Sequence, residues 1–93
     1  MEIKDSRSKE EFDFEYYKSI EGEGEVDTPI RAAFYKGERV AAVIETINPD
    51  TGELVQDAGI TRYDTDPYVE EITEEEFYAL CGQKMQKKNC DQT

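Results

Sequence analysis

Two apolar runs meeting at Lys36-Gly37-Glu38-Arg39 constrain this chain more than anything else in it. Val40-Ala41-Ala42-Val43-Ile44 is an unbroken apolar run, and together with Ile30 to Tyr35 it carries the β-branched and aromatic residues that strands favour. Gly37 supplies the positive φ of a tight hairpin, either after Lys36 or before Glu38. Those two registers differ by two residues and therefore bring the same faces together. One face is expected to hold Ile30, Ala32, Phe34, Ala41, Val43 and Ile47, and the other Ala33, Tyr35, Val40, Ala42 and Ile44. With both faces apolar, the hairpin belongs inside a sheet.

The flanking patterns extend that sheet. Phe12 to Tyr16 alternates like a strand, although Phe12, Tyr16 and Ile20 also have helical spacing; the aromatic content favours strand. Asn48-Pro49-Asp50-Thr51-Gly52 is a turn, with Pro49 presetting φ, Asp50 bonding locally and Gly52 left-handed, so Glu53 to Gln56 should return antiparallel. Ala58-Gly59 suggests a bulge before Ile60 to Tyr63, and Asp64 to Pro67 a second turn before a short strand at Tyr68-Val69.

A helix is expected from Glu74. Thr73 is its N-cap, Glu76 completes a capping box, and Ile72 and Phe77 have the spacing of a hydrophobic staple. Glutamates at the start and Lys84, Lys87 and Lys88 near the end suit the helix dipole. Phe77, Leu80 and Cys81 form its apolar stripe, with Tyr78 and Met85 at the margin, and it passes through Gly82 to about Lys87. The expected architecture is α+β: two layers, an antiparallel sheet of four or five strands with one C-terminal helix packed on it. Residues 1–11 read as a flexible N-terminal arm, with a short turn at Ser8 to Glu11. Residues 12–88 read as a single domain, and residues 89–93 as a tail.

The chemistry expected of an enzyme is scarce. There is no histidine, which removes the commonest general base and the commonest metal ligand. Cys81 and Cys90 match no zinc motif, and Ser6 and Ser8 have no base to activate them. Gly22 and Gly24 lack the third glycine and the lysine of a phosphate loop. Neither Asp64-Thr65-Asp66 nor Asn48-Pro49-Asp50 completes a calcium loop. No enzyme activity, metal or cofactor is therefore expected. Cys81 is most simply a small core residue, and Cys90, near Lys87 and Lys88, the more reactive thiol. Two cysteines, no signal-peptide core and no apolar run of membrane-spanning length suggest a cytoplasmic protein with free thiols.

Charge is the most informative functional feature. The net charge is −12, from 23 acidic and 11 basic residues, a field that repels nucleic acid and anionic lipid and attracts basic surfaces. Residues 10–27 hold eight acids against Lys18 alone, and residues 64–76 hold seven acids and no base. Helix-end electrostatics accounts for Glu74 to Glu76 but not for Glu21, Glu23, Glu25 and Asp27. If that second stretch is extended, alternate carboxylates project about 6–7 Å apart and can follow a groove built for a phosphate backbone.

The leading expectation is thus a non-catalytic protein that binds a basic partner. Its sharpest form is a nucleic-acid mimic inhibiting a DNA- or RNA-binding enzyme, as phage-type anti-defence proteins do, without itself binding nucleic acid or membrane. The residues expected at the contact are Glu21, Glu23, Glu25, Asp27, Asp64, Asp66, Glu70 and Glu71, with Tyr16, Tyr17, Tyr63 and Tyr68 as anchors. The alternative is an accessory subunit or homodimer that uses a second apolar face of the sheet.

Overall fold

A computed structural model describes residues 3–5, 7–57 and 66–90, with side chains through Gln86. Five strands, β1 (Phe12–Ser19), β2 (Thr28–Tyr35), β3 (Val43–Ile47), β4 (Leu54–Gln56) and β5 (Val69–Ile72), precede one helix, α1 (Glu74–Cys90). The sheet is antiparallel with strand order β4-β3-β2-β1-β5, so β2 and β3 are interior and β5 crosses over to pair with β1. The described residues thus form the expected two-layer α+β fold.

Alternation places Phe12, Phe14 and Tyr16 of β1 on the helix side, where Tyr16 and Ile47 meet Phe77, Cys81 and Met85 in one buried cluster. Phe12, Ala33 and Val43 form a second cluster beside it, and Phe14 packs against both. The helix stripe is centred differently from the sequence expectation. Phe77, Cys81 and Met85, at i, i+4 and i+8, are the buried residues, so Met85 is core rather than margin and Leu80 is half-buried. The N-cap half of the capping box forms, with the Thr73 hydroxyl accepting the Glu76 N–H at 3.1 Å; the Glu76 carboxylate turns back to that hydroxyl, Oε1 accepting it at 3.3 Å, and not to the Thr73 N–H. The helix runs through Gly82 to Cys90.

The central hairpin does not take the expected register. Gly37 is left-handed (φ 84°) and closes a turn in which Glu38 N–H donates to the Tyr35 carbonyl. The following residues loop out, leaving Val40 80 % exposed, and pairing resumes as Arg31↔Glu45, Ala32↔Ile44 and Ala33↔Val43. The shift from either expected register is odd, so β3 turns over relative to β2. Val43 and Ile47 therefore join Ala33 on the helix face, and Ile44 joins Ile30 and Ala32 on the other. The physical reason is electrostatic. Only this parity puts Glu45 on the same face as Arg31, whose guanidinium is fully buried and needs a carboxylate.

At the sheet's other end the turn before β4 forms with Gly52 at φ 77°, and Asn48 Oδ1 accepts the Asp50 N–H at 3.0 Å. The short last strand begins at Val69 rather than Tyr68 and extends to Ile72. The bulge and strand expected over residues 58–63, and the turn residues Asp64 and Thr65, lie outside the described residues.

Candidate functional site: an acidic end of the sheet

The pairing of β1 with β5 brings together two acidic stretches that are far apart in sequence. Ser19 lies opposite Val69 and Lys18 opposite Glu70, while Ile20 N–H donates to the Tyr68 carbonyl at 2.7 Å. The loop leaving β1 thereby sits beside the turn entering β5. Lys18 Nζ lies 3.7 Å from Asp27 Oδ2 and 3.9 Å from Glu70 Oε2, one ammonium between a carboxylate from each block. Glu21, Glu23, Glu25 and Asp66 occupy the same end of the sheet and are exposed.

The loop does not have the conformation that a linear row of charge needs. Residues 21–27 turn back on themselves: Glu25 N–H donates to the Gly22 carbonyl at 3.0 Å, and Gly24 is left-handed at φ 82°. Asp27 Oδ1 accepts the Glu21 N–H at 3.2 Å, and Glu21 Oε1 accepts the Thr28 hydroxyl at 2.8 Å. The stretch is thus an exposed loop, the extended condition for a row of carboxylates at strand spacing is not met, and the charges form a compact cluster. Like charges at alternate positions repel, and a turn lets them diverge while Glu21 and Asp27 accept local donors.

Asp66 shapes the other half of the site, its Oδ1 accepting the Tyr68 N–H at 2.8 Å and its carbonyl the Val69 N–H at 3.0 Å. That turn leaves the Tyr68 side chain 67 % exposed, with Ile20 also exposed nearby in the ladder. The expected anchors separate accordingly. Tyr68 stands at the acidic end. Tyr17 is half-buried on the face away from the helix, opposite Glu71, and its hydroxyl donates to Glu15 Oε1 at 2.7 Å. Tyr16 is corrected from anchor to core residue: it is 8 % exposed, its ring 5.1 Å from that of Phe77. Tyr63 and Asp64 lie outside the described residues.

The sequence reading missed a buried polar network that ties the first residues to the sheet. Arg31 gives Nε and Nη2 to Glu45 Oε1 at 3.0 and 2.8 Å, and Nη1 and Nη2 to the two Asp5 oxygens at 2.7 and 2.9 Å. Arg7 Nε reaches Glu45 Oε2 at 3.0 Å, and the Arg31 guanidinium lies 4.2 Å over the Phe14 ring. Burial alone would lower the Arg31 pKa, but the two carboxylates more than offset it and raise it above its ordinary value. The Arg31 hydrogen bonds, in turn, hold Asp5 below the usual carboxylate value. Burial pushes Tyr78, at the edge of this network, up to about 12. Every buried side-chain donor and acceptor among the described residues is partnered, and the network acts as a structural clasp.

Among the described residues, no group of three His, Cys, Asp or Glu side chains is arranged to hold a metal ion. Cys81 is a free thiol in the core, its pKa pushed up to about 12 by burial, the opposite of an activated nucleophile. No helix among the described residues is long and apolar enough to cross a membrane. No protein-family model, curated protein or solved structure matches the chain.

Proposed function

We propose that this is a non-catalytic binding protein that docks a basic surface of another protein through the acidic end of its sheet. The observation that carries the reading is the convergence of both acidic blocks on Lys18. Folding gathers carboxylates that sequence separation would have kept apart, against their mutual repulsion, and leaves exposed Tyr68 beside them as an aromatic anchor. A field of this sign speeds encounter with a basic partner by roughly 10- to 1000-fold, an effect that salt removes. A nucleic-acid-binding enzyme is the partner class that such a charge suits best, because its groove already accommodates a polyanion. The cluster's compactness favours a local plug in such a groove over a tracing of its length.

The alternative, a subunit contact through a second apolar face, is less well supported. Ile30 and Ala32, which would form the centre of that face, are already buried within the single chain.

The test compares the protein with an E21Q/E23Q/E25Q/D27N variant. Each is immobilised, exposed to an extract of the cells in which the protein naturally resides, and eluted along a salt gradient. A basic protein retained by the parent, released by a few hundred millimolar salt and lost from the variant is the expected result. Retention of the same proteins by both would overturn the reading.

A further inference from the structure

The two edges of the sheet are finished differently. At β4, the chain's own first residues cover the start of the edge: Lys4 N–H donates to the Gly52 carbonyl at 2.6 Å, and Leu54 N–H donates to the Lys4 carbonyl at 3.2 Å. At β5 no described residue does the same. The ladder parity says which of its groups are left over. Because Ile20 bonds Tyr68, the hydrogen-bonded pairs of this antiparallel ribbon are Ile20–Tyr68, Lys18–Glu70 and Tyr16–Ile72. The backbones of Val69, Glu71 and Thr73 therefore point away from β1. The Val69 N–H is taken up by the Asp66 carbonyl. The Val69 carbonyl, both polar groups of Glu71 and the Thr73 N–H remain along the outer edge.

The side chains on that edge select what can pair with it. Glu70 projects to the helix face beside Lys18, and Glu71 to the opposite face beside Tyr17, so carboxylates flank the edge on both sides. A second copy of β5 would set glutamate against glutamate across the new ladder, which is destabilising. An extended segment with lysine or arginine at successive positions meets a carboxylate on either face instead.

We propose that the β5 edge accepts an extended basic segment of the partner as an added antiparallel or parallel strand, with main-chain bonds to Val69, Glu71 and Thr73 and ion pairs to Glu70 and Glu71. This rests on the reading of the protein as a binder of basic partners and gives that reading a docking mode. The backbone bonds supply a geometric requirement that charge alone does not impose.

The probe is a nine-residue peptide with pairs of adjacent lysines separated by valines, so that both faces of the strand carry lysine, compared by fluorescence titration with the same peptide N-methylated at alternate amides. The two share charge and composition, but the second cannot complete a ladder along its methylated edge. Methylation on the correct alternate set should weaken binding at least tenfold. Glu71→Pro, which removes the outward N–H along with the carboxylate, should do the same relative to Glu71→Gln, which removes the charge alone, with circular dichroism confirming that both fold. If methylated and unmethylated peptides bind equally while E21Q/E23Q/E25Q/D27N binds neither, strand addition is wrong and the acidic-end reading survives. If neither peptide binds the parent at low salt, both fall. Dimers through β5 in sedimentation, abolished by Glu71→Pro, would also overturn the proposal by naming a second copy as the occupant.

Discussion

Arg31 and Glu45 lie directly opposite one another on β2 and β3, fully and almost fully buried, with the guanidinium giving two bonds to a single carboxylate oxygen. This pair decides the register of the interior strands, because a one-residue slip would leave each charge alone on opposite faces of the sheet. Removing one partner leaves the other buried with a single remaining counter-charge, Asp5 for Arg31 and Arg7 for Glu45, a loss of at most about 3–5 kcal/mol. Arg31→Met and Glu45→Gln should each lower the urea midpoint accordingly. The double variant should be less destabilised than the two single losses added together. Additive losses would show that the two charges act independently.

The same pair explains what the sequence concealed. Strand existence was legible from apolar alternation, and α1 from its capping box, because both are written in residues close together in the chain. The register of β2 against β3 was not. Apolar pattern alone favoured the tight loop at Gly37, whereas the deciding term was a charge pair whose members lie on different strands. Likewise Asp5 and Arg7 sit in a stretch with no periodicity, and only the fold shows that they complete the coordination of Arg31 and Glu45. At the acidic end the residue types were legible but not their arrangement. The crossover of β5 to β1 has no local signal, so the meeting of two blocks at Lys18 could not be read from spacing.

Asp5 makes the clasp pH-dependent. Its pKa is lowered in the folded protein, first by the Arg31 hydrogen bonds, so its contribution is complete above the usual value of 3.8 and is lost as pH falls through the folded value. At its partly exposed position that contribution should be on the order of 1 kcal/mol. Urea unfolding of the parent and Asp5→Asn should differ by this amount at pH 7, and the difference should shrink progressively as pH falls below 3.8 through the folded value. A difference that does not change with pH in the acid range would assign the effect to packing.

Cys81 responds at the alkaline end. Burial raises its thiol to about 12 from an ordinary 9.0, so the neutral form contributes stability that is complete below pH 9 and is lost as pH rises toward 12. In a Cys90→Ser chain, where Cys81 alone reports, a thiol reagent at pH 8 should react no faster than the protein unfolds. Reaction at the rate of an exposed thiol would contradict its place under the helix.

Gly82 is a helix-interior glycine without a structural reason to be one. Its φ is not positive, and a Cβ there would meet nothing within 4 Å. Gly82→Ala should therefore stabilise the fold by about 1 kcal/mol through helix propensity. Thermal unfolding should rise by roughly 4–8 °C. An unchanged or lower midpoint would indicate that the helix is not continuous through this turn.

The most direct measurement separates a located site from overall acidity. Four charges are removed at the acidic end (E21Q/E23Q/E25Q/D27N) and, in a second protein, four at exposed positions elsewhere (E10Q/E11Q/E38Q/E75Q), so that net charge is matched. Binding of a lysine-rich peptide is then titrated for both at low and moderate salt. A site at the end of the sheet requires at least a tenfold weakening in the first variant and less than twofold in the second, with the gap closing as salt rises. Equal weakening in both would contradict it and leave the carboxylates with solubility as their role.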